Sequence, residues 1–135
     1  MAREKIAFFI NTSSFDQVTF SLAIAVSYAA LNSEVNILFG YSGIQRLKKN
    51  IVDEIGDETD ILIREKIKSG IQKKGIIKIS ESLEMIKRLG GKIYACPAAM
   101  ALHNITSQEL IEICEIKGMV EFIREDAKDA KIIYV

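Results

Sequence analysis

Two cysteines, one histidine and one hydroxyl-rich turn are the residues of this chain best suited to chemistry. Cys96 ends the apolar run Lys92-Ile93-Tyr94-Ala95, and Pro97, the only proline, follows it directly. Proline cannot continue a central strand and fits the first position of a helix, while the residue before it avoids helical backbone angles. Cys96 is therefore expected at a strand-to-helix junction, capping a short helix over Pro97–His103. There the N–H groups of Ala98, Ala99 and Met100 would point towards the sulfur and favour thiolate, the nucleophilic form. Ala98 and Ala99 leave space around it. His103 lies two turns along that helix and could serve as a general base, although it fits an ordinary helix-end residue better.

Several cysteine chemistries fail at the diagnostic spacings. A C-x-x-C redox pair needs a cysteine where Ala99 stands, and a C-x5-R phosphatase loop needs an arginine where Leu102 stands. Zinc needs more ligands than Cys96, Cys114 and His103 supply, and no metal site is expected. Cys114 sits in the largely apolar run Leu110–Ile116 and reads as a small buried residue. For Cys96 the residues alone leave both readings open, reactive thiol and core packing. The turn Asn11-Thr12-Ser13-Ser14 has hydroxyls but no glycine, which makes it a weak phosphate or flavin cradle. It fits better as a helix cap that also forms one wall of a pocket around Cys96, with Pro97, Ala98, Ala99, Met100 and His103 on the other side.

These residues need a scaffold, and the pattern supplies one. Ile6–Ile10 is a continuous apolar run, as in a strand buried on both faces of a parallel sheet. Phe15–Leu31 has apolar residues at helical spacing, stopped by Asn32-Ser33. Glu34–Phe39 is a second strand, Tyr41–Asn50 a second helix, and a helix from Ser80 ends at Gly90-Gly91. Lys92–Ala95 is the third strand. Thr106 and Glu109 form a capping box. Ile111–Ile116 is a fourth strand, Gly118 opens a helix through Ala127, and Lys131–Val135 is the last strand. The charged stretch Asp53–Gly75 reads as a solvated excursion with a short helix at Ile61–Ile67; its acidic cluster lacks the ligand spacing of a calcium loop.

Alternating strands and helices predict an α/β three-layer sandwich. Its five-stranded, mostly parallel sheet is expected in the flavodoxin-like order 2-1-3-4-5. In that order the Asn11–Ser14 and Cys96–Ala98 loops meet at the carboxyl ends of neighbouring strands, where such folds bind ligands. A chain of 135 residues suits one domain, 1–135. Eighteen basic and eighteen acidic residues balance, which argues against a nucleic-acid footprint. Apolar runs are too short to span a membrane, and the first residues lead straight into a strand. A cytoplasmic protein with free thiols is expected.

The segments Lys5-Ile6-Ala7-Phe8-Phe9-Ile10 and Lys92-Ile93-Tyr94-Ala95-Cys96 resemble the DsrE-like sulfur-relay family. So does the ending, with Ile105, Glu109-Leu110, Gly118, Phe122, Ala127 and Ile132-Ile133-Tyr134-Val135. The likeness covers nearly the whole chain and is strongest to the DsrE/F-like branch often labelled peroxiredoxin-like. It implies a sulfur carrier or sulfurtransferase that holds persulfide or thiosulfonate sulfur on Cys96 and passes it to a TusA-like partner. It also implies a homotrimer or hexamer and no cofactor. One departure is visible: related sequences often place a serine and methionines after the cysteine, whereas Pro97-Ala98-Ala99 precede Met100 here. The competing expectation is a small-ligand or nucleotide-binding oligomer that uses the same pocket without covalent chemistry.

Overall fold

The computed structural model describes residues 3–135. Strands β1 (Lys5–Ile10), β2 (Glu34–Phe39), β3 (Lys92–Ala95), β4 (Glu115–Ile116) and β5 (Lys131–Tyr134) form one sheet in which every pair is parallel. Helix α1 (Phe15–Ala30) follows β1; α2 (Ile61–Gln72) and α3 (Ile79–Arg88) lie between β2 and β3. Helix α4 (Pro97–Leu102) follows β3, and α5 (Met119–Phe122) runs into a π-helical turn at Ile123–Ala127 before β5. The expected α/β class and five-stranded parallel sheet are both present.

The sheet order is β4-β3-β2-β1-β5. The expected order 2-1-3-4-5 would have put β3 beside β1; instead β1 lies between β2 and β5, and β3 lies beyond β2. The reason is the side on which each crossover runs. Helices α1 and α3 pack against each other on one face. Successive right-handed crossovers on one face move the chain in one direction across a sheet. Helix α5 covers the opposite face, so the last connection returns in the other direction and sets β5 beside β1.

Side chains alternate between the two faces. Ile6, Phe8 and Ile10 of β1 and Val35, Ile37 and Phe39 of β2 are all buried, as are Val18, Leu22 and Ala25 of α1 and Leu83 and Ile86 of α3. On the other face Phe122 of α5 is wholly buried and meets Phe9 edge-on, with ring centroids 5.2 Å apart, and Tyr94 at 5.9 Å. Burying one such aromatic contributes about 1.5–3 kcal/mol. Both faces of the sheet are covered, which accounts for the unbroken apolar run of β1.

Several local expectations change in the structure. Tyr41–Leu47 is a 3-10 turn rather than a helix to Asn50. Of the expected strand Ile111–Ile116 only Glu115–Ile116 joins the sheet: the Ile111 N–H donates to Leu47 O, beside an antiparallel bridge of Leu110 with Lys48, and the Cys114 N–H turns back to Ile111 O. The excursion holds a full helix, α2, and Asp53, Glu58 and Asp60 of its acidic cluster are engaged with the protein. Asp60 caps α2 by accepting from the Leu62 N–H at 2.9 Å, and Asp53 accepts from the Ser80 N–H at 3.0 Å at the start of α3.

Candidate functional site: a cavity at the strand carboxyl ends

Parallel pairing brings all the strand carboxyl ends to one edge. The Gly40 N–H donates to Ile10 O, Cys96 N–H to Phe39 O, and Val135 N–H to Phe9 O. A cavity of about 390 Å³ opens at this edge. Phe9 and Ile10 of β1 and the next residue Asn11 line it, with Leu38 of β2, Gly40 and Tyr41 just beyond β2, and Cys96 and Ala98 from the β3–α4 junction. Met119 of α5 and Tyr134 of β5 complete the wall. Cys96 is 6% exposed, whereas Met119, Tyr41 and Tyr134 are 45%, 59% and 70% exposed. The thiol residue is thus at the inner end and the tyrosines are at the mouth.

Cys96 has extended backbone angles and caps α4, with Pro97 at its first position. The expected donation from the helix N–H groups to the sulfur is absent: the Cys96 side chain makes no capping bond, and the Met100 N–H donates to the Cys96 carbonyl. Tyr41 is held at φ 39°, a left-handed conformation that costs a bulky residue of order 1–3 kcal/mol. Its neighbour Gly43 explains the tight path. A Cβ there would lie 2.4 Å from the Ile10 carbonyl oxygen, so the turn can sit against the end of β1 only with glycine.

Of the turn Asn11–Ser14, only Asn11 lines the cavity; its amide Nδ2 donates to the Tyr134 hydroxyl at 3.1 Å. Thr12 Oγ1 accepts from the Ser14 N–H, and Ser14 precedes α1 with its hydroxyl bound to Asp16 at 2.5 Å. The Ser13 carbonyl accepts from Arg46 Nε at 2.8 Å. Of the residues after the cysteine, Ala98 lines the cavity. Pro97 is exposed, Ala99 is buried beneath α4, and Met100 packs on the core. His103 is away from the cavity at the C-terminal end of α4, where its Nδ1 lies 3.1 Å from Gln45 Nε2. Thr12, Ser13, Ser14, Pro97, Ala99, Met100 and His103 therefore stand outside the lining, because the β2 end, Gly40-Tyr41, lies between the two loops that were expected to meet. Met119 and Tyr134 were not expected at the site, since nothing local tells which later elements return to the end of β1.

Arg46 was also missed. It is completely buried, and its Nη1 donates to Ile51 O at 2.9 Å and Glu54 O at 2.6 Å. Burial lowers its pKa, and Glu58, 3.2 Å from Nη2, opposes that shift. Thr59 beside it accepts from the Phe15 N–H at 2.9 Å. The acidic loop is thereby locked onto the turn that follows β1.

The two cysteines differ. Both are free. Burial pushes the Cys114 thiol up to about 11. Behind Tyr94, burial would lower Lys117, but bonds to Asp126 at 2.8 Å, Glu125 at 3.1 Å and the Tyr94 hydroxyl hold it above the usual lysine value. Among the described residues no group of three or more His, Cys, Asp and Glu side chains is placed to hold a metal ion, and no helix is long and apolar enough to cross a membrane.

Comparison with known proteins agrees with this architecture. The chain is similar over 98% of its length to the YchN protein of E. coli, 99% of which is covered, with a TM-score of 0.71 at 15% identity. It is similar over 98% of its length to MTH1491 of Methanobacterium thermoautotrophicum, a protein of unknown function, 99% of which is covered, with a TM-score of 0.64 at 14% identity. At these identities the likeness concerns the fold. No curated protein matches the sequence. The model of the DsrE/DsrF-like family, which is linked to sulfur relay, matches residues 4–135, and the chain belongs to that family.

Proposed function

We propose that the protein is a sulfur carrier that holds sulfane sulfur on Cys96 and passes it to a partner thiol. The observation that carries this reading is the place of Cys96. It is the one cysteine that lines the cavity at the strand carboxyl ends, while Cys114, half-buried, lies outside it. In loading, the Cys96 thiolate attacks a sulfane sulfur, a Cys96 S–S bond forms, and the donor S–S bond breaks with its electron pair leaving on the donor. In unloading, a partner thiolate attacks the outer sulfur and the electron pair returns to Cys96. No net oxidation occurs, and no cofactor is needed.

The partner in this reading is a TusA-like carrier, and the working form is a homo-oligomer such as a trimer or hexamer. Exposed apolar side chains support an oligomer: Phe20 on α1 and Leu31 at its C-terminal cap are 70% and 81% exposed. A cytoplasmic setting agrees with two free thiols. The nucleotide-binding alternative is weaker here, because the Thr12 hydroxyl and the Ser13 carbonyl are already bonded within the protein and the cavity wall is mainly apolar.

The test is intact-mass spectrometry after incubation with inorganic polysulfide. Wild type and Cys114→Ser gain sulfur, and Cys96→Ser does not. Equal loading of Cys96→Ser removes the proposal.

A further inference from the structure

We infer that the cavity favours, by rate of loading, an organic hydropersulfide with an uncharged, apolar carbon body as the sulfur donor, so that thiosulfate and other anionic donors load Cys96 more slowly. This rests on the carrier reading of Cys96 and adds the class of molecule it takes sulfur from.

Three observations carry it. The first is size: about 390 Å³ falls in the range of small organic ligands, far more than a small inorganic anion fills. The second is lining. Phe9, Ile10, Leu38, Ala98 and Met119 are apolar, and none of the described residues that line the cavity is basic or acidic. Taking an anion into such a space without a cation is unfavourable, and thiosulfate is a dianion. The third is polarity at one end only. Asn11 donates to the Tyr134 hydroxyl at the mouth, opposite the buried Cys96. Because that hydroxyl accepts from Asn11, its own proton is free to donate.

The chemistry fits these walls. A hydropersulfide, R–S–SH, accepts a nucleophile as the neutral molecule, whereas its anion R–S–S⁻ is itself a nucleophile. An apolar cavity disfavours a second negative charge beside the Cys96 thiolate, so the donor reacts there as the neutral form. The Cys96 thiolate attacks the outer sulfur, the Cys96 S–S bond forms, and the donor S–S bond breaks. The proton stays on the transferred sulfur, giving Cys96–S–SH. The electron pair leaves with R–S⁻, which departs through the mouth past the Tyr134 hydroxyl. Atoms and charge balance, and no oxidant enters.

The experiment compares benzyl hydropersulfide, glutathione hydropersulfide and thiosulfate as donors, following the sulfur gained by intact mass. Each rate is divided by the same donor's rate with a free small-molecule thiol, which removes donor reactivity. The benzyl donor is expected to load Cys96 at least about tenfold faster than the other two. Met119→Lys, at a half-exposed position of the wall, is expected to narrow or reverse that ratio. Equal or faster loading by glutathione hydropersulfide or thiosulfate in the wild type overturns the inference while leaving the carrier reading intact. Failure of all three donors to load a Cys96 that polysulfide does load overturns the inference alone, and failure of polysulfide as well overturns both.

Discussion

Arg46 Nη2 lies 3.2 Å from Glu58 Oε2, and the arginine of this pair has no exposed surface. Through its other nitrogens Arg46 ties the carbonyls of Ser13, Ile51 and Glu54 together, so one side chain joins the β1 loop to the acidic excursion. Removing it leaves those carbonyls and Glu58 uncompensated. Arg46→Met is expected to cost about 3–5 kcal/mol, read as the shift in urea unfolding midpoint. A loss under about 1 kcal/mol would mean that the excursion is not anchored in this way.

Glu58 makes that anchor pH-sensitive. Burial would raise its pKa, but the Thr59 hydroxyl, the Gly56 N–H and Arg46 together hold it below the ordinary glutamate value. A carboxylate with a depressed folded pKa contributes stability that is present above its unfolded pKa and is lost as pH falls through the folded one. Stability measured by urea melts should therefore decline below the usual glutamate range in wild type. Glu58→Gln should be less stable at neutral pH and should show a shallower decline. Parallel pH profiles for the two proteins would contradict this.

Gly43 fixes the cavity wall from below. Gly43→Ala places a methyl group 2.4 Å from the Ile10 carbonyl oxygen. Backbone must shift, at about 1–3 kcal/mol, and the shift falls between Ile10 and Tyr41, both cavity residues. The expected result is a lower melting temperature together with slower modification of Cys96. A variant that melts and reacts like wild type would show that the turn has slack.

Strand β1 was legible because its apolar run, Ile6–Ile10, is long and unbroken, whereas of the expected fourth strand only Glu115–Ile116 joins the sheet. Cys96 was legible because the only proline fixes where β3 stops. Sheet order was not legible. It depends on which face each helix covers, and the four-residue α5 with its π-helical turn carries little periodicity. That order decided the site. With β2 between β1 and β3, Tyr41 lines the cavity in place of Thr12–Ser14, and the return of β5 beside β1 brings Tyr134 there. Nothing in the sequence marks Arg46 as buried, because apart from Glu58 its partners are backbone carbonyls, which leave no mark in a sequence.

The Lys117–Asp126 pair braces the face behind Tyr94. Their side chains are 13% and 7% exposed. Lys117→Met leaves Asp126 buried without its cation and should cost about 3–5 kcal/mol. Its pKa is raised in the folded state, so the pair's contribution is complete below the unfolded lysine pKa and is lost as pH rises through the folded value. The expected signature is an alkaline loss of stability in wild type that Lys117→Met lacks. An unchanged alkaline limb in the variant would contradict it.

The two thiols offer the most direct test of the central claim, that Cys96 is the reactive sulfur. With its thiol pushed up to about 11, Cys114 holds little thiolate near neutral pH. Folded protein treated with iodoacetamide at pH 7.5, digested and mapped by mass spectrometry should be labelled at Cys96 and spared at Cys114. Prior loading with polysulfide should move the label onto sulfur added at Cys96. Labelling confined to Cys114, or Cys96 that reacts only after unfolding, would contradict the account.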